Sequence, residues 1–201
     1  MIEGLFSQIL SFQELNHLKF ILILSLFNFI YFLTPLPTTF IVIFNGFIFR
    51  TNGFIYSIFF TLFGSFLIFE FAKNLSKKKI FNQKFFKFCK KKIQMIKFIK
   101  TPNNGIIFLS RYIIPYFVHN IMFGFLETKL RRFMLIILLA EIPLILSFNN
   151  IGKSLNNFVL LKDYKISDLF LDYEFLLSFL FVFSIILIAS SVEKRIIKKN
   201  N

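Results

Sequence analysis

Few side chains in this sequence can do chemistry, and most of those lie inside apolar runs. Arg111 stands in "GIIFLSRYIIPYFVHNIMFGFL" (Gly105–Leu126), followed by Pro115 and His119. An arginine at the centre of a bilayer costs about 2.5 to 3.5 kcal/mol on insertion scales, so it needs a cavity or a partner. Its rigid fork of donors fits a phosphate bidentately. It can equally cap loose backbone carbonyls or snorkel to a nearby interface. Glu141 lies deep in an apolar run just before Pro143. It can pair with Arg111, carry a proton, or sit protonated through desolvation. Glu70 is three residues from Lys73 and reads as half of a local helix pair. His119 has no second histidine nearby, so packing or a backbone hydrogen bond accounts for it better than titration does. The amides of Asn45 and Asn120 can donate to a polar ligand, or satisfy broken backbone in their own segments. The binding candidates are therefore Arg111, Asn120, Asn45 and Glu141.

The surrounding elements must hold these groups in an apolar setting. The chain is 201 residues long, 56% hydrophobic, with mean hydropathy +0.71. Its long runs nearly free of charge exceed what a soluble domain of this size can bury, which makes it an all-α polytopic membrane protein. Cys89 is the single cysteine, so there is no disulfide framework or metal cluster to argue from, and no cofactor or metal is implied. No zinc-protease helix, nucleophile elbow or phosphate-cradling glycine loop is present, and the chain reads as a non-enzyme. The first residues lack a basic leader and a small-residue cleavage site, so the N terminus is expected to be retained.

Candidate full spans are Leu18–Leu33, Phe54–Ala72, Phe133–Phe148 and Tyr173–Val192. Between the first two, Pro35 and Pro37 precede an uncharged segment that closes at Asn45–Gly46 and Arg50. The residues from Pro37 to Arg50 would make roughly 18 Å of helix against a hydrocarbon core of about 30 Å, too little to cross. Charge decides what such segments do. The net charge is +14, with eleven lysines and no acid between Lys73 and Lys100. If Gly105–Leu126 crossed fully, the polylysine loop and "ETKLRR" (Glu127–Arg132) would fall on opposite sides, against the positive-inside tendency. If both short segments instead dip in and return, these two loops and the basic tail all lie inside, and the neutral Ile151–Asp172 loop lies outside. Two re-entrant hairpins, 35–52 and 105–126, are therefore expected. Asn45 and Gly46 are placed at the turn or exit of the first, and Gly53 at the restart of the next helix.

A repeat supports this. Pro37 is followed nine residues later by Gly46, and Pro115 nine residues later by Gly124, and each segment leads into a full span. One hairpin and one crossing per unit inserts the second unit upside down, the pattern of inverted-repeat transporters. Broken backbone survives in lipid only when packed in protein or lining a wet cavity. Pro37, Gly46, Pro115, Gly124 and Pro143 are the structural residues of this scheme.

The run "PLPTTFIVIFNGFIF", "GSFLIFEFAK", "RYIIPYFVHNIMFGFLETKLRRF" and "AEIPLILSFNNIGKSL" resembles the VTT-domain superfamily, which groups DedA proteins with SNARE-associated Golgi proteins, and is closest to the Golgi-protein branch. The likeness covers roughly Pro35 to Leu155. It implies two re-entrant hairpins facing each other and, for several members, movement of phospholipids or lipid-linked carriers between leaflets. It also implies that Arg111 is the intramembrane arginine, that Pro115, Asn120 and Gly124 belong to the second hairpin, and that Pro143 and Gly152 mark the end of the last shared helix. Thr38 and Thr39 stand where DedA members often carry an acid, Lys73 replaces a common arginine, and Ala140 replaces a glycine.

The expected organisation is an N-terminal transmembrane helix in 1–34 and a VTT-like domain in 35–155, with spans 54–72 and 133–148 and a basic amphipathic segment 73–100 lying on the inner leaflet. An outer loop, a last transmembrane helix and a basic tail fill 156–201. The expected function is passage of phospholipid or lipid-linked carrier between leaflets. The alternatives are a proton- or ion-coupled small-solute transporter and a noncatalytic membrane-organising protein. Expected partners are membrane lipids, anionic headgroups among them, with no nucleic acid and with a homo-oligomer left open. The expected location is a bacterial plasma (inner) membrane with both termini cytoplasmic.

Overall fold

Prolines place the first reversal of the chain. In a computed structural model, which describes residues 17–77, 104–160, 173, 175–184 and 187, helix α1 (His17–Phe32) stops just before Pro35. Helix α2 (Thr38–Phe49) starts after Pro37, whose φ of −63° and ψ of 117° are extended. Neither proline can continue a helix, and each biases its predecessor toward extended backbone. After a tight link at Arg50–Thr51 comes α3 (Asn52–Ser76). Helices α4 (Asn104–Ile113) and α5 (Tyr116–Phe125) are parted by Ile114 and Pro115. Helix α6 (Leu130–Leu160) runs through Pro143, and α7 (Phe175–Ser184) is a short apolar helix. Every regular element among the described residues is helical, and α3 and α6 are long and apolar enough to cross a membrane.

Contacts fix the helix directions. Asn28 of α1 meets Asn45 of α2, while Phe20 and Leu24 share a cluster with Phe47 and Ile48, so α1 and α2 pair antiparallel about a tip at residues 33–37. Arg111 lies over Tyr116, and Ile107 and Ser110 both reach His119, so α4 and α5 pair antiparallel about Ile114–Pro115. Helices α3 and α6 are also antiparallel: Phe69 stacks on Phe133 near one end and Gly53 lies against Asn149 near the other. Helix α5 runs along α3 in the same direction, with Tyr116 at Gly64, Asn120 at Ser65 and Gly124 at Phe69. Helix α2 runs the other way, with Phe49 at Tyr56 and Asn45 at Ser57.

Both tips arrive at the middle of α3. Phe32 and Tyr116 pack edge to face with ring centroids 6.0 Å apart, and both press on Gly64. Gly64 is twelve residues from either end of α3. The helix is built for this. Gly53, Ser57, Thr61, Gly64, Ser65, Ala72 and Ser76 are buried, whereas Ile55, Phe59, Phe63, Phe66 and Phe71 point outward and are exposed. Small residues at helical spacing allow close approach of neighbouring backbones, while Phe60, Ile68 and Phe69 fill the core between them.

The structure revises several boundaries. Asn45 and Gly46 are not a turn: they lie inside α2, and no glycine among the described residues has positive φ. Gly46 serves close packing instead, since a Cβ there would lie 2.3 Å from the Asn149 carbonyl oxygen on α6. The sharp conformation falls at Arg50, with φ 52°. The first hairpin is therefore α1 with α2, and α1, which the sequence set apart from 35–155, packs into that unit. The span expected at 133–148 continues to Leu160, so the start of the expected Ile151–Asp172 loop is helical. Gly152 does not break α6 because its absent side chain admits the Ile43 carbonyl of α2. Of the basic segment 73–100, Lys73 to Ser76 complete α3 and Lys77 caps it, and 78–100 lie outside the described residues, as do the N terminus and the basic tail.

Candidate functional site

Arg111 occupies the last turn of α4, just before the chain breaks at Pro115. Its Nε donates to Glu141 Oε1 on α6, and its guanidinium carbon sits 4.9 Å over the Tyr116 ring. The two charged residues are only 6% and 3% exposed. Tyr112 donates to the Ala140 carbonyl at 3.0 Å, fastening α4 to α6 a second time. Because Glu141 takes only Nε, the terminal nitrogens Nη1 and Nη2 have no hydrogen-bond partner among the described residues, nor has Glu141 Oε2.

Tyr116 carries this site onto α3. Its hydroxyl donates to the Thr61 carbonyl at 2.9 Å and accepts from Ser65 Oγ at 3.3 Å, while Asn120 Nδ2 donates to Ser65 Oγ at 3.2 Å. Thr61 Oγ1 and Asn120 Oδ1 are buried without partners among the described residues. Each such group costs about 1–3 kcal/mol unless something completes it, as an ordered water does in many interiors.

A second polar cluster joins the first hairpin to the same face of α3. Asn45 Nδ2 donates to Asn28 Oδ1 at 2.8 Å and to Ser57 Oγ at 3.0 Å, and Asn28 Nδ2 donates back to Asn45 Oδ1 and to the Leu24 carbonyl. At the end of α2, Asn149 and Asn156 of α6 donate to the carbonyls of Arg50 and Phe47, supplying hydrogen bonds that a helix C-terminus lacks. Asn45 and Asn120 thus bond across helices rather than to the backbone of their own hairpins. The reason is that α2 and α5 are unbroken there and leave no backbone groups free.

His119 is fully buried, with Nε2 3.0 Å from Ser110 Oγ and 3.2 Å from the Ile107 carbonyl. A carbonyl only accepts, so Nε2 carries the hydrogen and cannot act as the base that would activate Ser110. The imidazole is a bridge within the second hairpin, stacked beside Phe133, as the backbone-bonding expectation had it. Glu70 pairs with Lys73 at 3.6 Å on the helix surface.

Of the four binding candidates, Arg111 and Glu141 meet directly, Asn120 joins them through Ser65 and Tyr116, and Asn45 lies in a separate cluster eight residues along α3, at Ser57 rather than Ser65. Sequence reasoning missed Asn28, Ser57, Thr61, Ser65 and Tyr116. The hydroxyls at 57, 61 and 65 recur at one helical face of an otherwise aromatic span, a pattern that could have found them. Among the described residues no group of three His, Cys, Asp or Glu side chains could hold a metal ion. No family model, curated protein or solved structure matches the chain.

Proposed function

We propose that this chain is an integral membrane protein of the VTT type that eases passage of phospholipid, or of a lipid-linked carrier, between leaflets. The observation that supports this most is the meeting of two proline-tipped hairpins at Gly64, the middle of the apolar helix α3. At 25 and 31 residues, α3 and α6 would extend ~38 and ~46 Å, whereas α2 and α5, at 12 and 10 residues, would extend ~18 and ~15 Å. The short arms reach half a bilayer, and they run in opposite directions along α3. On this reading the hairpins enter from opposite faces as an inverted repeat, and α1 is the entering arm of the first hairpin rather than a separate crossing. The exposed Phe and Leu of α1, α3 and α6 then face acyl chains, and the buried hydroxyls and amides of α3, α2 and α5 form a polar seam near the midplane. A headgroup that follows such a seam avoids part of its desolvation cost while its chains stay in lipid. The lysines after α3 and the arginines of "ETKLRR" favour a cytoplasmic side for that end under the positive-inside tendency.

Purified protein in liposomes should therefore speed leaflet exchange of acyl-chain-labelled phospholipid with no nucleotide and no imposed gradient. Rates equal to those of empty liposomes, in anionic and zwitterionic lipid and with or without a proton gradient, would replace this reading with that of a membrane-organising protein. Rates that appear only with a proton gradient would favour coupled transport.

A further inference from the structure

We propose that Phe32, at the tip of the first hairpin, is a gate across the polar seam, which opens when this tip withdraws from Gly64 while the second tip stays in place. This rests on the leaflet-passage reading and names its moving part. Asn28, Asn45, Ser57, Thr61, Ser65 and Asn120 are all buried, so nothing polar can follow the seam in this conformation and some part of the fold must move. Phe32 lies one turn of α1 beyond Asn28, between the Ser57 cluster and the Ser65 cluster. It is fully buried, its Cβ is 3.0 Å from where a Cβ on Gly64 would lie, and its ring meets Tyr116 edge to face.

The two tips are held unequally. The second is tied to both long helices, through Tyr116 to Thr61 and Ser65 on α3 and through Arg111 and Tyr112 to α6. The first is tied only to itself. The amides of Leu33 and Thr34 donate to the carbonyls of Ile30 and Tyr31, Thr34 Oγ1 also donates to the Tyr31 carbonyl, and the Tyr31 hydroxyl donates to the Pro37 carbonyl. Among the described residues no hydrogen bond joins 31–37 to another part of the fold. The polar anchors of this hairpin on α3 lie farther back, Asn45 on Ser57 and Ser25 beside Tyr56 at 2.7 Å. Apolar packing alone keeps Phe32 on Gly64, and such contact has no fixed direction. A ring displaced into lipid loses packing but not shelter from water, because acyl chains are as apolar as its neighbours. The hairpin can therefore pivot on the Asn45–Ser57 contact and lift its tip. Opening also gives Thr61 Oγ1 and Asn120 Oδ1 a partner, which offsets part of the lost packing.

The test compares Phe32→Ala with Phe69→Ala, full-length, in phosphatidylcholine vesicles carrying acyl-chain-labelled phosphatidylcholine. Phe69 is as fully buried as Phe32 but stacks on Phe133, away from the seam. Phe32→Ala should speed leaflet exchange roughly two- to tenfold over wild type, the effect of one aromatic pair on a barrier. Phe69→Ala should not speed it, although both variants melt at lower temperature. Should either fail to fold, Phe32→Leu and Phe69→Leu make the same comparison at smaller loss of volume. The same change in both members of a pair, or slower exchange when Phe32 is shortened, overturns the gate and leaves lipid passage standing. Exchange no faster than in empty vesicles for wild type and every variant overturns both.

Discussion

The hydroxyl of Tyr116, at the tip of the second hairpin, sits where a side chain on Gly64 would be: a Cβ on Gly64 would lie 2.7 Å from it. That oxygen also bonds the Thr61 carbonyl and Ser65, so one atom both holds the tip to α3 and sets how close it comes. Tyr116→Phe should cost about 1–2 kcal/mol by leaving those groups unpaired. Gly64→Ala should cost about 1–3 kcal/mol by overpacking. The double variant should be less destabilised than the sum, since removing the oxygen gives the new methyl room. Relief is only partial, because Phe32 Cβ stays 3.0 Å from the same point. Thermal unfolding of the four proteins in detergent gives the coupling, and strict additivity would refute the contact.

Gly46 and Gly124, matched in sequence, do matched work. A Cβ at Gly46 would lie 2.3 Å from the Asn149 carbonyl oxygen, and one at Gly124 would lie 2.5 Å from the Phe69 carbonyl oxygen. The obstruction is helix backbone in both cases and cannot swing aside. Gly46→Ala and Gly124→Ala should each lose about 2 kcal/mol or more. Larger side chains should abolish accumulation rather than merely narrow a groove. A variant of either kind with unchanged thermal stability would contradict the close packing.

Buried charge gives a third expectation. Removing one member of a buried ion pair strands the other at a cost of about 3–5 kcal/mol, whereas replacing both with apolar groups is often tolerated. Arg111→Leu and Glu141→Leu should each reduce accumulation sharply, and the double variant should recover much of it. If the double variant is as poor as the worse single, the pair is not what links these helices. Recovered protein that still fails to exchange lipid would separate the site's chemistry from its fold.

The apolar runs, the prolines and the nine-residue repeat made the hairpins legible, because proline's missing amide acts locally and leaves its mark in sequence. Arg111 and Glu141 were legible because a charge in an apolar run demands a partner. Asn45–Gly46 misled, since a pair that favours turns in water suits a helix interior when a second helix presses against its bare Cα. The asparagine caps from α6 onto α2 were not legible, because Asn149 and Asn156 act about a hundred residues away from Arg50 and Phe47 and only the packed structure brings them together.

Arg50 and Glu127 end the two hairpins with positive φ of 52° and 50°, sparsely populated backbone that costs a residue with a Cβ roughly 1–3 kcal/mol. Each has a side-chain bond there, Arg50 Nε to Asn156 Oδ1 and Glu127 Oε1 from Ser76 Oγ. Arg50→Gly removes the strain and the bond together, so its stability should stay close to wild type. Arg50→Ala keeps the strain and loses the bond, and should fall about 1–2 kcal/mol below the glycine variant. Melting temperatures in the order Ala above Gly would rule out the strained link.

The two ends of the second hairpin lie at one end of the molecule, and the start of α3 lies at the other. Arg132 Nε donates to Asn104 Oδ1 at 2.6 Å, which brings the beginning of α4 beside the beginning of α6. Ser76 at the close of α3 meets Glu127 in the same region, whereas Thr51 precedes the opposite end of α3. If α3 crosses the membrane and α4–α5 dips in and returns, residues 104 and 129 share a side and residue 51 does not. Asn104, Lys129 and Thr51 are all exposed, so single cysteines there, in a background with Cys89→Ser, should react with a membrane-impermeant maleimide. The positive-inside tendency assigns 104 and 129 to the cytoplasm and 51 to the far face. Labelling of 104 and 129 from different sides would mean that residues 104–126 cross, which ends the hairpin reading. Labelling of all three from one side would keep the second hairpin but deny that α3 crosses, and with it the meeting of hairpins from opposite faces on which passage of a headgroup depends.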